Sequence, residues 1–350
     1  MQSQRFRRIA AALMGSALLL CGAATARAAE DAPPVGHYPL PESGDIVGHT
    51  QIVTASHDDT VVDIGLNHGI GFDAMRLANP TLNMWLPGEG TDVVVPTRFI
   101  LPPGPRQGVV INLAEKRLYF YPPAGKDEAA RVETYPVGVG RMDWQTPLGT
   151  TTITTKIENP AWYPPQSIRE ERARTGKPAL PRVVPAGPDN PLGDYAMLLD
   201  IPGYMIHGTN RPRGVGMQVS HGCIRMLPRD IDNLVHRLPD GTQVRIINQP
   251  VKLGWDNGLL YAQIYPPAEG ESQAQEVSDA LAAVNKAVKG KDFLVDYAHL
   301  MAELKSPSGR VTPLLLEGRP FPLPEPLPTF LDRVDAVQGL YDRLPGALAG

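Results

Sequence analysis

Two short stretches of this chain gather the side chains of a nucleophilic site: Ile206-His207-Gly208-Thr209 and Ser220-His221-Gly222-Cys223-Ile224-Arg225-Met226. Cys223 is one of two cysteines, and the other, Cys21, lies in an apolar N-terminal run. A thiol with an ordinary pKa of about 8.5 is only a few per cent ionised at neutral pH, so a cysteine nucleophile needs a nearby base or cation. His207 is the candidate base. It closes the apolar run Tyr204-Met205-Ile206, and the loop-like Asn210 to Gly216 can bring the chain back to the thiol. His221, two residues before Cys223, is placed to shape the site or stabilise charge. Gly222 lets the backbone bend so that N–H groups near Cys223 face a developing oxyanion, where one donor is worth about 3 kcal/mol in the transition state. The guanidinium fork of Arg225 suits a substrate carboxylate. Ser220, Tyr204 and Thr209 are read with it as substrate-binding residues.

The same spacing admits two blander accounts. A zinc site built from His207, His221 and Cys223 lacks the fourth ligand that closes a structural centre. An inert cysteine between two structural histidines is the other. No metal and no organic cofactor is expected. His37, His49, His57, His68, His236 and His299 have no comparable company and are read as ordinary surface or core residues.

The elements that must position these residues are mostly strands. Gly and Pro make up 71 of 350 residues, which favours a turn-rich, mainly β chain with minor helix. In the region 107–249, Gly108 to Leu113 and Arg117 to Tyr121 form a hairpin pattern around Ala114-Glu115-Lys116. Further strands are expected over 131–139, 149–157, 197–201, 204–207 and 243–248, the 149–157 run being rich in β-branched residues. One helix begins at Pro228, with Ile231, Leu234, Val235 and Leu238 on its apolar face. A long loop from Glu158 to Pro191 is expected to be a lid or substrate wall. Its charged run Arg169-Glu170-Glu171-Arg172 reads as a solvated helical turn. Asp143-Trp144 with Thr146-Pro147-Leu148-Gly149 reads either as a turn or as part of the cleft lining.

Two regions flank this one. Over 48–98 the pattern is strand, helix, helix, strand: Thr50 to Ala55, a helix capped by Asp59-Thr60 and closed by His68-Gly69, a second from Phe72 to Ala78, and Asp92 to Pro96. Over 250–350, a strand at 259–265 is expected to finish the middle domain. Helices follow around 273–288 and 292–304, then a Pro-rich stretch at 320–328 and an amphipathic stretch at 330–344. This extension is assigned a packing role ahead of a partner-binding one.

The N-terminus reads as a cleavable leader over 1–28: Arg5, Arg7 and Arg8, an apolar run from Ile9 to Cys21, then Ala26-Arg27-Ala28. Lipidation at Cys21 is a rival reading, with Leu20 in place of the small residue expected before it. The formal charge of −4 becomes about −8 once the four leader arginines are removed, which argues against a nucleic-acid partner.

His207-Gly208-Thr209 followed by Ser220 to Met226 resembles the signature of the L,D-transpeptidase (YkuD-type) catalytic domain. The likeness continues through Gly140-Arg141, Thr146 to Gly149, Asn159-Pro160, Trp162 and the segment 184–193. The 48–98 unit resembles a LysM module on Asp59-Thr60, Ile64, Asn79-Pro80, Leu86-Pro87-Gly88 and Val95-Pro96, with Asp58 where a glycine is usual. This layout is similar to the ErfK-like periplasmic enzymes of Gram-negative bacteria. The resemblance implies a β-sandwich-like catalytic domain over 107–249, a small α+β LysM-like domain before it and a partly helical extension after it. It further implies a periplasmic acyl transfer on peptidoglycan tetrapeptide stems. Cys223 would attack the carbonyl between diaminopimelate and D-alanine. His207 would move the proton, oriented by the Gly208 carbonyl, and His221, Gly222 and Cys223 would form the oxyanion environment. The acceptor stays open among a second diaminopimelate, a lysine of an outer-membrane lipoprotein, and water, the last making a carboxypeptidase or hydrolase. A reading of another class is a non-catalytic peptidoglycan-binding protein that works through glycan contact by the LysM-like unit.

Overall fold

The computed structural model of the chain describes residues 34–125, 129–267 and 272–315. The leader and the Pro-rich and amphipathic stretches of the tail lie outside the described residues. Among those described, no helix is long and apolar enough to cross a membrane.

After β1 (His37–Pro39), a small α+β unit contains β2 (Ile46–Gly48), β3 (Gln51–Thr54), α1 (Val61–Asn67), α2 (Phe72–Ala78), β4 (Asp92–Val95) and β5 (Arg98–Ile100). β3 pairs with β4 and β2 with β5, both antiparallel. The side chain of Thr60 accepts from the Asp63 N–H at 2.9 Å, satisfying one of the free donors at the start of α1. Asn79 does more than end α2. Its amide donates to the carbonyls of Met75 at 2.9 Å and Val94 at 2.8 Å and accepts from the Val94 N–H at 2.9 Å, tying helix to strand.

The largest sheet is built from β6 (Gly108–Asn112), β7 (Arg117–Tyr121), β8 (Arg131–Gly140), β9 (Gly149–Glu158), β10 (Tyr195–Leu199), β11 (Met205–His207), β12 (Gln218–Ser220), β13 (Ile224–Met226) and β14 (Gln243–Ile247). Helix α3 (Gln166–Arg174) lies in the loop between β9 and β10, and α4 (Pro228–Val235) follows β13. The pairing runs β8-β13-β11-β10-β9-β14-β6-β7, and β7 pairs back with β8, so these strands close on themselves; β1 and β12 add to β8. Strand alternation separates two cores. Val109, Ile111, Leu118 and Phe120 face inward with Ile206, Ile224, Met226 and the α4 residues Ile231 and Leu234. Val110, Tyr119 and Tyr121, between them in sequence, pack outward against Val61, Ile70, Met75 and Val95 of the N-terminal unit. This β-rich domain is the one expected from the sequence.

The C-terminal region departs from expectation. The 259–265 strand does not finish the closed sheet. β15 (Val251–Asp256), β16 (Leu259–Ile264) and β17 (Val311–Pro313) form a separate sheet beneath α5 (Gln273–Val288) and α6 (Tyr297–Lys305). The reason is the Asn257-Gly258 turn, both residues at positive φ, which folds β16 back onto β15. The helix expected over 292–304 begins only at Tyr297, because the Asp296 side chain caps it by accepting from the His299 N–H at 2.8 Å.

Lys252 pins this sheet to the β6–β7 hairpin and to β5. Its ammonium, 1% exposed, donates to Glu115 Oε2 at 2.8 Å, the Ile100 carbonyl at 2.5 Å and the Tyr119 hydroxyl at 3.1 Å. Burial lowers its pKa, and Glu115 opposes that shift. Removing one partner of a buried ion pair strands the other, so Lys252→Ala is expected to destabilise the protein by about 3–5 kcal/mol. Urea unfolding of the variant against wild type measures this.

Candidate active site

β11 and β13 lie side by side in parallel, with Ile206 opposite Ile224 and His207 opposite Arg225. Ile206, Ile224 and Met226 point into the core. Alternation therefore sends His207, Cys223 and Arg225 to the opposite face. A parallel pair needs a crossover of a dozen or so residues, and the segment from Gly208 to Gly222 supplies it. That crossover rests on the N-terminal unit. The N–H groups of Phe72 and Asp73 donate to the carbonyls of Val215 and Gly216, each at 3.2 Å, and Arg213 pairs with Asp63 at 2.9 Å. At Gly216 a Cβ would lie 2.4 Å from the Gly71 Cα, so the two backbones could not meet. Nothing in the sequence pattern signals this contact.

His207 is 4% exposed, with Nδ1 2.7 Å from the Gly208 carbonyl. A carbonyl only accepts, so Nδ1 carries the proton and Nε2 presents its lone pair. Burial first, and then the charge of Arg225, lower its pKa to about 4; the backbone bonds at Gly208 and Leu192 pull the other way. Cys223 is half-buried and donates from Sγ to the Gly203 carbonyl at 3.7 Å. Burial raises its pKa, offset in part by the backbone at Met205 and by Arg225. Arg225 thus acts on both His207 and Cys223. Its own Nε is buried with no hydrogen-bond partner.

The turn bearing the thiol is held from behind. Gly222 sits at φ +98°, and a Cβ there would come within 2.7 Å of the Tyr204 ring. Its carbonyl accepts from Thr146 Oγ1 at 2.8 Å, and that oxygen in turn accepts from the Gly140 N–H at 3.3 Å. Ser220 is 1% exposed, and its hydroxyl donates to the Cys223 carbonyl at 2.5 Å. Thr209, also buried, accepts from the Arg211 N–H at 3.0 Å. The Tyr204 hydroxyl donates to the Gln145 carbonyl at 3.4 Å. The hydroxyls of Ser220, Thr209 and Tyr204 are therefore engaged with the chain itself. The 143–149 segment is both turn and lining: Thr146 is buried under Gly222, Trp144 packs edge-on to His221 at 5.4 Å, and Leu148 is 61% exposed.

The charged run of the long loop is not a solvated turn. Arg169 donates to the carbonyls of Pro164, Leu180, Pro181 and Arg182. Glu171 accepts from Arg141 through Oε1 and from His221 Nε2 through Oε2, the latter at 2.7 Å. Buried Asn190 closes the loop by donating to the carbonyls of Pro160 at 2.7 Å and Pro185 at 3.1 Å. Sequence patterning missed Glu171 because its partners lie about 30 and 50 residues away, beyond the reach of any local period. Among the described residues, no three His, Cys, Asp or Glu side chains gather as metal ligands.

A thiol and an oriented imidazole lie on adjacent strands of a β-rich fold, with a glycine-bent turn at the thiol, an arrangement suited to cysteine acyl transfer. The model of the YkuD family, the L,D-transpeptidase catalytic domain, matches residues 106–246. The chain is 37% identical over 279 residues to the probable L,D-transpeptidase ErfK/SrfK of Escherichia coli strain K12, covering 77% of this chain and 88% of that one. It is 40% identical to the probable L,D-transpeptidase YcfS of the same strain, over 66% and 72% of the two chains. The corresponding figures for its probable L,D-transpeptidase YbiS are 38%, 69% and 79%. The chain belongs to the L,D-transpeptidase family, and it is an enzyme of that type.

Proposed function

We propose that this enzyme acts in the periplasm on peptidoglycan tetrapeptide stems, cleaving the bond between diaminopimelate and D-alanine and passing the acyl group to an amine. The observation that carries the reading is the parallel register of β11 and β13, which puts His207, Cys223 and Arg225 on one face. Cys223 Sγ attacks the carbonyl carbon while Nε2 of His207 takes the thiol proton. Backbone N–H groups at the Gly222-Cys223 bend receive the oxyanion. Collapse expels D-alanine, whose amine takes the proton from His207, and leaves a thioester. An incoming amine then gives a proton to His207, attacks the thioester carbonyl and releases the thiolate, which recovers that proton.

The guanidinium fork of Arg225 suits a carboxylate of the stem, as such a fork does generally. Tyr204 is assigned as a wall of the stem's site, with buried Ser220 and Thr209 holding the backbone behind it. The acceptor is the amine of a second diaminopimelate, giving 3-3 cross-links, or a lysine of an outer-membrane lipoprotein. The 48–98 unit, in which β3, α1, α2 and β4 follow in strand-helix-helix-strand order, is assigned as a LysM-like module. Trp85 and Leu86, 51% and 70% exposed on it, offer an apolar surface to a glycan strand.

Mass spectrometry of purified muropeptides incubated with the enzyme tests the reading. D-Alanine release with dimers supports transfer, and release without dimers makes the enzyme a carboxypeptidase. No change of the muropeptides by folded protein would leave the wall-binding reading in its place.

A further inference from the structure

The long loop brings into the site a carboxylate that the acyl-transfer steps do not use. Helix α3 has no buried residues. Apart from Glu171, its side chains hydrogen-bond only within their own loop: Arg169 to the carbonyls already named, Arg172 to Pro178 at 2.8 Å and Gln166 to Glu170 at 2.6 Å. Among the hydrogen bonds and ion pairs of the described residues, those of Glu171 link α3 to the closed sheet, bridging Arg141, just beyond β8, and His221, just beyond β12. This is not a pair waving in solvent. The side chains of Glu171, His221 and Arg141 are 14%, 25% and 33% exposed, and Trp144 packs edge-on to the imidazole.

Protonation states follow from the partners. Arg141 first, then His221, hold the Glu171 carboxyl down to about 2, so it is ionised and can only accept hydrogen bonds. The His221 nitrogen facing it must be the donor, which puts a proton on Nε2. His207 has the opposite arrangement, with its proton on Nδ1. A lid carboxylate thus does for His221 what the Gly208 carbonyl does for His207.

We infer that Glu171 is a positioning residue: through it, the docked 158–193 loop fixes the orientation and the Nε2–H form of His221, so that seating of the loop and assembly of the site are one event. The inference rests on the acyl-transfer reading for its catalytic consequence but not for its structural one. Once the loop lifts, His221 loses its acceptor, and its ring is free to turn or change tautomer. A thiol site with a wandering neighbour two residues from the nucleophile accelerates chemistry less well, since small misplacements at a reacting centre cost heavily.

The test compares wild type with Glu171→Ala and Glu171→Gln, using Glu170→Gln as the control because Glu170 bonds only to Gln166. Long-range proton–nitrogen spectra of histidine-labelled protein, with His221 assigned from His221→Gln, are expected to show Nε2–H in wild type. In Glu171→Ala that signal should give way to a tautomer mixture. D-Alanine release from a tetrapeptide muropeptide should fall roughly tenfold in kcat/KM for Glu171→Ala and less for Glu171→Gln, which keeps an acceptor for His221. The control should match wild type in both. An unchanged His221 tautomer in Glu171→Ala, or equal turnover in wild type and both Glu171 variants, overturns the inference. Should Glu171→Ala lose its folded circular dichroism, Glu171→Gln decides on the same two readouts. If wild type itself leaves the muropeptide untouched, the substrate reading fails while the tautomer comparison still decides the positioning role.

Discussion

Cys223→Ala is expected to lower D-alanine release by on the order of 10^4-fold or more, since the atom that forms the acyl bond is gone. Cys223→Ser should recover little of it. A hydroxyl is far harder to deprotonate than a thiol, and the base beside it is weak, with burial holding His207 near 4. The same electrostatics describe the wild-type resting state. Burial raises the thiol and lowers the imidazole, so both are neutral at pH 7 rather than paired as thiolate and imidazolium. The proton must therefore move as the sulfur–carbon bond forms, and substrate binding supplies the occasion. A small alkylating reagent, which brings no such help, should react slowly at neutral pH and faster as the solution turns alkaline. Intact-protein mass spectrometry provides the check. Wild type should gain the mass of the stem less D-alanine, and the Ala and Ser variants should gain nothing. Undiminished turnover by folded Cys223→Ala would place the nucleophile elsewhere.

Local patterns carried most of this fold because they are written in short periods. The hairpin of β6 and β7 alternates faces, and α4 opens on Pro228 with an apolar stripe beneath it. The helix α5 has the same bounds in sequence and structure, since Ser272 caps it and its buried Val284 and Ala280 repeat at helical spacing. The grouping of Cys223, His207 and Gly222 stood out for a different reason: cysteine, histidine and glycine have few structural uses in such company. What escaped was set by long-range contact. Glu171 looks like any solvated acid until folding puts Arg141 and His221 against it. Lys252 looks like a surface lysine alternating on a strand until Glu115, far back in the chain, closes over it. The closure of β7 onto β8 and the docking of α2 against the catalytic crossover likewise leave no mark in either partner alone. In each case the free energy belongs to a pair of distant residues, and neither residue's type announces it.

His207→Gln should cut kcat by about 10^2–10^4-fold, the usual worth of a positioned base, with KM less affected. Glutamine can keep the bond to the Gly208 carbonyl and fill much of the same space, so the loss reports the base rather than the fold. The wild-type pH profile carries a second mark. The base works only when neutral, and burial with Arg225 lowers its pKa from 6.5 to about 4. The acid limb of kcat/KM should therefore lie near pH 4, and a limb near 6.5 would mean that His207 is not the base. Stability responds in the same window. Between pH 6.5 and 4 the unfolded chain binds a proton at this residue that the folded chain refuses, so acidification favours unfolding. The penalty is absent above 6.5, grows as pH falls and is complete below about 4, where it amounts to roughly 3 kcal/mol. Glutamine has no proton to take up. The inactive His207→Gln protein should then lose less stability than wild type between pH 7 and pH 4.5, as measured by urea unfolding at both. Equal losses in the two proteins would show that His207 does not stay neutral in the folded state, and the proton transfer assigned to it would lose its physical basis.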